Sequence, residues 1–349
     1  MMRNKTKNFY YGNVGIGSDF PVTVQSMTNT DTRDIKETVS QIKLLEEVGC
    51  DIIRLAVPDM EAALALEKIK KQVNIPIIAD IHFDYKLALQ AIEGGVNGLR
   101  INPGNIGDKQ RVKEIVNRCK EKDIPIRIGV NSGSIKKEFL EKYGGVNVNS
   151  MVESAMEHVR ILEEMNFKKI VLSVKSTDIH MTIESYEKLS QIVDYPLHIG
   201  ITESGSLWKG TIKSSIGIGS LLAKGIGDTI RVSLTGSPIE EVKVGKQILR
   251  SLGLLNDRIE VISCPTCGRT RIALEKIVSE VEQKIEHMNK SIKVAIMGCE
   301  VNGPGEAKEA DIGIAGGNGL GLIFKKGKVI KKVEENKLID ELVKEIEKL

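Results

Sequence analysis

The sequence predicts an α/β protein, a (β/α)8 TIM barrel followed by a small α+β domain. Three observations carry this. Short β-branched runs alternate with longer amphipathic segments eight times over about 240 residues, the usual extent of a closed barrel. That rhythm stops near residue 252 and a different one begins. The full length of 349 residues also exceeds the roughly 250–300 at which one core tends to split.

The strands come in order: VTVQSM from Val22, DIIRLAV from Asp51, PIIADIH from Pro76, GLRINP from Gly98, PIRIGVN from Pro125, KIVLSVK from Lys169, PLHIGITE from Pro196 and TIRVSLTG from Thr229. Between them run segments such as IKETVSQIKLLEEVG and YEKLSQIVD, with apolar residues at helical spacing. An open doubly wound sheet is the rival architecture. Eight parallel units are the barrel's own count, and no GxGxxG fingerprint follows the first strand. Between the fifth strand, ending near Asn131, and the sixth there is room for a helix and an extra loop, SGSIKKEFLEKYGGVNVNS. Long loops at a barrel's C-terminal mouth commonly act as lids, and an idle surface insertion is the plainer alternative.

The barrel is assigned to residues 1–252 and the second domain to 253–349, with a linker from Leu252 to Arg258. In the second domain IEVISC reads as a strand, RIALEKIVSEVEQKIEHM as a helix and IKVAIMGC as another strand. The short strand DIGIAG, a hairpin around KKGK and a last helix, ENKLIDELVKEIEKL, complete it.

Composition narrows the function classes. With 41% hydrophobic and 28% charged residues the chain can bury a large interior and stay dissolved. Fifty basic against 47 acidic residues leave +3, which excludes a generally cationic nucleic-acid coat but allows a local basic pocket. No stretch approaches 18 uninterrupted apolar residues, and the basic N-terminus lacks the apolar core of a signal peptide, so no membrane association is expected. Five cysteines, odd and sparse, read as a reduced set in a cytoplasmic protein.

Strand parity then predicts a site. Side chains alternate across a strand, so one set faces the helices and the other the barrel interior. Placing Ile53, Leu55 and Val57 outward turns Arg54 inward, and the same rule turns in Asp80 and His82, Arg100 and Asn102, and Arg127 and Asn131. Lys175, Arg231 and Ser233 follow, with Thr202 and His198 on the seventh strand. Arg54 and Arg127 lie mid-strand, which places them lower than the rim. Five strands thus deliver a cation to an interior that branched aliphatics normally fill. Two cations about 6 Å apart repel by roughly 3 kcal/mol at an effective dielectric of about 20, so the set calls for an anion. Internal ion pairs with Asp80 and Glu203 are one answer; a phosphate or diphosphate, gripped by arginine forks, accounts for the whole group. Glu203, at the end of the seventh strand, is either an acid–base group or a partner of Lys175.

Cys264-Pro-Thr-Cys267 ends one strand of the second domain and Cys299 follows the next. Three thiols brought together by strand–helix–strand topology suit zinc with one further ligand or an iron–sulfur cluster, with an unmetallated thiol set as the third reading. No fourth cysteine lies nearby, but Glu306 can reach back from the Gly-Pro-Gly turn in VNGPGEA. A carboxylate is an unusual, labile ligand for iron and makes sense where an iron must open to substrate. Cys50 and Cys119 read as structural thiols.

PVTVQSMTNTDT, DIIRLAVPD, IADIHFD, LRINPGNIG, IRIGVNSGS, ITESG, GIGDTIRVSLTG, CPTCGR and CEVNGPGEA together resemble the 4-hydroxy-3-methylbut-2-enyl diphosphate synthase family of the non-mevalonate isoprenoid pathway, in its two-domain bacterial form. The resemblance spans nearly the whole chain; a mild departure is Ser204 where alanine is more usual. It implies a 4Fe-4S cluster held by Cys264, Cys267, Cys299 and Glu306, and reductive dehydroxylation of a cyclic diphosphate with flavodoxin or ferredoxin as electron donor. It further implies substrate contacts at Arg54, His82, Arg100, Asn102, Arg127, Asn131, Lys175, Thr202, Arg231, Ser233 and Asn302, with Glu203 as the catalytic carboxylate. A head-to-tail homodimer, in which one subunit's cluster domain serves the other's barrel, is implied as well. The rivals are a zinc-stabilised barrel hydrolase acting on a phosphorylated substrate and a non-catalytic RNA-binding protein; 4% aromatics offer little for base stacking.

Overall fold

A computed structural model describes residues 3–299, 307–317 and 319–349, and the chain divides into two units, Met1–Leu255 and Asn256–Leu349. The first opens on a hairpin, β1 (Phe9–Tyr11) and β2 (Val14–Ile16), that the strand pattern above did not include. Its turn is the dipeptide Gly12–Asn13, with Gly12 at φ +58° as tight hairpins favour.

The eight barrel strands follow: β3 (Thr23–Met27), β4 (Ile52–Ala56), β5 (Ile77–Asp80), β6 (Gly98–Arg100), β7 (Ile126–Asn131), β8 (Ile170–Lys175), β9 (His198–Ile199) and β10 (Thr229–Ile230). All neighbours are parallel in the order β8-β7-β6-β5-β4-β3-β10-β9, and a bridge between Leu172 and Leu197 joins the two ends. The last two strands are shorter than their sequence pattern. There the Asp228 carboxylate, paired with Arg3, accepts the Leu197 N–H at 2.8 Å in place of a ladder carbonyl.

The helices between are α1 (Ile35–Glu47), α2 (Met60–Lys70), α3 (Tyr85–Glu93), α4 (Lys109–Glu121), α5 (Lys137–Tyr143), α6 (Val148–Glu164), α7 (Ile179–Ile192), α8 (Leu207–Ala223) and α9 (Pro238–Ser251). Asp34, Asp59, Asp84, Asp108 and Asp178 cap α1, α2, α3, α4 and α7, each carboxylate accepting a first-turn N–H. The extra segment after β7 is itself helical: α5 ends on Gly144 at φ +71°, and Asn147 caps α6. Among the described residues no helix is long and apolar enough to cross a membrane.

Two cores result from strand alternation. Ile53, Leu55, Ile77, Leu99, Ile126, Ile128 and Leu172 pack outward against the helices. Ile52, Ile78 and Val171 point inward and meet Phe9, Tyr11 and Ile16 of the hairpin, which fills the barrel from its N-terminal end. Gly98 is required there, because a Cβ would stand 2.4 Å from the Tyr11 ring.

The second unit holds β11 (Glu260–Ser263), β12 (Lys293–Met297), β13 (Ile312–Gly316), β14 (Leu320–Lys325) and β15 (Lys328–Glu334), paired in chain order. The first three run parallel and the last two antiparallel, turning through Lys326–Gly327, both at positive φ. Helices α10 (Leu274–Ile285) and α11 (Leu338–Glu347) bury their apolar faces against one side of this sheet, around Val294, Ile296, Ile312, Ile314 and Ile323. Ala295, Met297, Ala315 and Phe324 face the other side.

Candidate functional site

Two residues beyond the apolar plug, the inward face of the same strands becomes charged. Arg54, Asp80 and Arg100 stand one inward step above Ile52, Ile78 and Gly98 on β4, β5 and β6. Asp80 gathers its neighbours: Arg100 Nη1 lies 3.3 Å and Arg54 Nε 3.6 Å from its carboxylate, with His82 Nε2 at 3.7 Å. Burial works to raise the Asp80 carboxyl, but Arg54, His82 and Arg100 together hold it below the usual carboxylate range. Arg100 also donates from Nη2 to the Gly129 carbonyl at 2.7 Å, lying across a residue whose missing Cβ would stand 2.6 Å from Nε. Arg54 lays Nη2 2.9 Å from the sulfur of Met27.

On the other side of Met27, whose sulfur lies 3.8 Å from its Nη1, Arg231 on the chain after β10 faces Glu241 of α9 at 3.6 Å, beyond hydrogen-bond reach, and its Nε is left without a partner. Glu241 is buried and holds the strand end in place, accepting from the Leu234 N–H at 2.9 Å and Ser26 Oγ at 3.2 Å. Lys175, at the end of β8, is buried with Nζ 3.4 Å from His198 Nε2. Burial first, then Arg231, Arg54 and Arg127, push the Lys175 ammonium well below its ordinary value. Arg127 sits deepest, 2% exposed, bonded to Gln25, with Nη2 unpartnered. Desolvation lowers it to about 10, partly offset by Tyr11 and Asp80. Among the described residues four arginines and Lys175 meet two buried carboxylates, Asp80 and Glu241, so cationic side chains outnumber their carboxylate partners by three.

Other expected residues fall differently. Asn102 is buried with its amide engaged at Gly129: Nδ2 donates to the Gly129 carbonyl and Oδ1 accepts the Gly129 N–H, each at 2.9 Å. Asn131 is exposed at the rim, where its N–H bonds Ser134 Oγ at 3.0 Å, and the His82 side chain is 57% exposed. Thr202 and Ser233 are half-buried at the strand ends. Glu203 is exposed beside them at φ +51°, a left-handed conformation a non-glycine residue adopts at a cost, often where function requires it. It makes no pair with Lys175. Reading the strands alone missed Glu241, Met27 and Gln25. Gln25 and Met27 share the inward parity of β3, while Glu241 carries no local mark.

In the second unit Cys264 follows β11 and Cys299 follows β12, adjacent parallel strands in register from Glu260↔Lys293 to Ser263↔Ile296. The Gly298 N–H, next to Cys299, donates to the Cys264 sulfur at 3.2 Å. The Cys267 N–H bonds Thr270 Oγ1 at 3.1 Å, and the Arg269 backbone N–H, the largest cause, draws the Cys267 thiol below its ordinary value. All three are free thiols. Among the described residues no three cysteine, histidine or carboxylate side chains converge on a single-ion site. Cys264 and Cys299 at neighbouring strand ends and Cys267 in the loop after the first, one accepting a backbone N–H and one eased toward thiolate, are soft donors of the kind that iron–sulfur ligation uses. Glu306 and Asn302 lie outside the described residues. Cys50 and Cys119 are buried elsewhere, with burial pushing the Cys50 thiol up to about 12.

Residues 6–246 match the GcpE TIM-barrel domain and residues 260–348 the GcpE protein C-terminal domain. A protein of Clostridium acetobutylicum named 4-hydroxy-3-methylbut-2-en-1-yl diphosphate synthase (flavodoxin) is 62% identical over 349 residues, all of both chains. One of the same name from Clostridium perfringens is 61% identical over 347 residues, 99% of each. Among solved structures, the dihydropteroate synthase of Yersinia pestis aligns with 70% of this chain and 98% of its own at a TM-score of 0.49 and 9% identity. With both domain models matched in order and full-length relatives above 60% identity, the chain belongs to the GcpE family.

Proposed function

We propose that the chain is an oxidoreductase of isoprenoid biosynthesis that converts 2-C-methyl-D-erythritol 2,4-cyclodiphosphate to 4-hydroxy-3-methylbut-2-enyl diphosphate. The observation that carries this reading is the excess of cationic side chains over carboxylates in and below the barrel mouth, which suits a substrate with two phosphoryl groups. The names of the full-length relatives agree with it. The reaction takes up two electrons and two protons, breaks the C–O bond that closes the diphosphate ring and that of one hydroxyl, and releases water.

Arg54, Arg100, Lys175 and Arg231 hold the diphosphate oxygens, and Arg127 adds its charge from below. An anion there offsets the repulsion from Arg231, Arg54 and Arg127 that, after burial, pushes Lys175 down, so the pocket and the charged ligand stabilise each other. His82, Asn131, Thr202 and Ser233 meet the substrate at the rim, while Asn102 acts on Arg100 through the Gly129 peptide. Glu203, exposed at the mouth, gives a proton to the departing hydroxyl. Cys264, Cys267, Cys299 and Glu306 are the proposed ligands of a 4Fe-4S cluster, and Asn302 the residue that steers substrate on that side. When bound, such a cluster supplies electrons one at a time, drawn from flavodoxin, the donor in the relatives' names. The proposed assembly is a head-to-tail homodimer in the cytoplasm, each cluster domain serving the partner's barrel. The zinc hydrolase alternative has no support among relatives that all carry a synthase name.

The test is anaerobic purification followed by metal, sulfide and product analysis with reduced flavodoxin. Iron and sulfide in equal amounts with formation of the allylic diphosphate are expected. Stoichiometric zinc without iron, and no product, would overturn the reading. Mixing a Cys267→Ser chain with an Arg100→Met chain then tests the assembly: restored activity supports exchange between subunits, and no rescue places both functions within one chain.

A further inference from the structure

We infer that His158 is a positioning residue that fixes the turn after β6 and, through it, the orientation of Arg100. The inference deepens the reading of the mouth as a diphosphate site and rests on it. His158 lies on α6 at 3% exposure, among core residues Met151, Ala155, Val159 and Leu162. Its Nδ1 accepts the Gly104 backbone N–H at 3.1 Å. That N–H belongs to the 3-10 turn Pro103–Asn105, which has no side-chain cap of its own because Asn102 is committed elsewhere. Asn102 holds Gly129 by both its N–H and its carbonyl, and that carbonyl also accepts Arg100 Nη2 at 2.7 Å. Imidazole, turn, amide, peptide and guanidinium therefore form one connected series from α6 to the mouth.

The approach is close. A Cβ at residue 104 would stand 2.8 Å from His158 Cε1 and 3.3 Å from Lys136 Nζ, so only glycine brings this peptide to the ring. Accepting at Nδ1 leaves the ring proton on Nε2 and requires a neutral imidazole. Burial supplies this, holding the group at about 4; Glu157 opposes, while Lys136 and Arg100 add to the depression. Lys136 is itself paired with Glu157 Oε1 at 2.6 Å beside the ring.

The test compares His158→Phe, which keeps the volume and loses the acceptor, with His158→Asn, which offers a carbonyl oxygen near the place of Nδ1. Hydrogen exchange of the peptide covering residues 101–107, measured on the full chain without substrate, reads the turn directly. Calorimetric titration with the cyclic diphosphate reads Arg100. His158→Phe is expected to lose protection in that peptide and to bind about tenfold more weakly, the worth of one buried hydrogen bond, with His158→Asn restoring both. Unchanged protection in a folded His158→Phe protein, or a His158→Asn protein as impaired as His158→Phe, would overturn the inference. Should His158→Phe not fold, His158→Asn against wild type decides: near-wild-type protection and affinity uphold it, and loss of either sinks it. If the wild type binds no cyclic diphosphate, the reading of the mouth fails while the exchange result still judges His158.

Discussion

At its N-terminal end the barrel interior is aliphatic and aromatic, Ile52, Ile78 and Val171 against Tyr11, Phe9 and Ile16. Two residues further along the same strands it is ionic, with Arg54, Asp80 and Arg100. The distance is about 7 Å, two strand residues. The lower layer carries stability, because its side chains lose water to one another. The upper layer stores electrostatic repulsion that closely packed aliphatics would never create, and that repulsion is the binding energy offered to an anion. Fold and function are thus separated along the strand axis rather than between residues of different elements.

Substitutions can break this separation. The largest effect is expected at Arg100→Met. Removing the guanidinium from a buried, hydrogen-bonded pair with a bound phosphoryl group costs roughly 2–5 kcal/mol of binding, and at about 1.4 kcal/mol per tenfold this gives about a 1,000-fold loss of kcat/KM. Because Asp80 keeps Arg54, the melting temperature should move little; a collapsed fold would place Arg100 in the lower layer's role. Tyr11→Ala should do the opposite, lowering unfolding free energy by about 3–4 kcal/mol in denaturant titration with KM unchanged. A large rise in KM would show that the two layers are coupled through Arg127.

The pH dependence sharpens the picture at the mouth. His158 is held at about 4 in the fold against 6.5 unfolded, so the unfolded chain takes up this proton first as pH falls. Stability is therefore complete above about 6.5 and declines toward 4, by at most about 3 kcal/mol from this group. His158→Asn should flatten that part of the profile in denaturation followed from pH 7 to 4. The smallest effect is expected at Gly129→Ala, where the new methyl displaces the movable end of Arg100 rather than backbone. KM should rise about tenfold with stability nearly unchanged.

Alternation along single strands made most of this visible in the sequence, since Arg54, Arg100, Arg127 and Lys175 each follow from outward isoleucine, leucine and valine neighbours. What it could not show comes from other elements. Glu241 sits in the first turn of α9 beside Glu240, where acidic residues are ordinary, and only packing reveals that one of them is buried. Asn102 has the inward parity, but its amide is consumed by the neighbouring strand, a pairing that depends on the register of β6 and β7. The N-terminal hairpin did have a local signal, Gly-Asn between two apolar runs, overshadowed by strands of only three residues. The insertion after β7 concealed α5 because the Gly-Gly pair that looks like a loop is the helix's own C-terminal stop.

The hairpin has one more consequence. A barrel stoppered from beneath is a cup, not a tube, so whatever enters over the rim must leave by the same route. Product and incoming substrate then queue at a single doorway lined by the same guanidinium groups. Simple pyrophosphate, which shares their charged moiety, should slow the enzyme competitively by occupying the base of that cup.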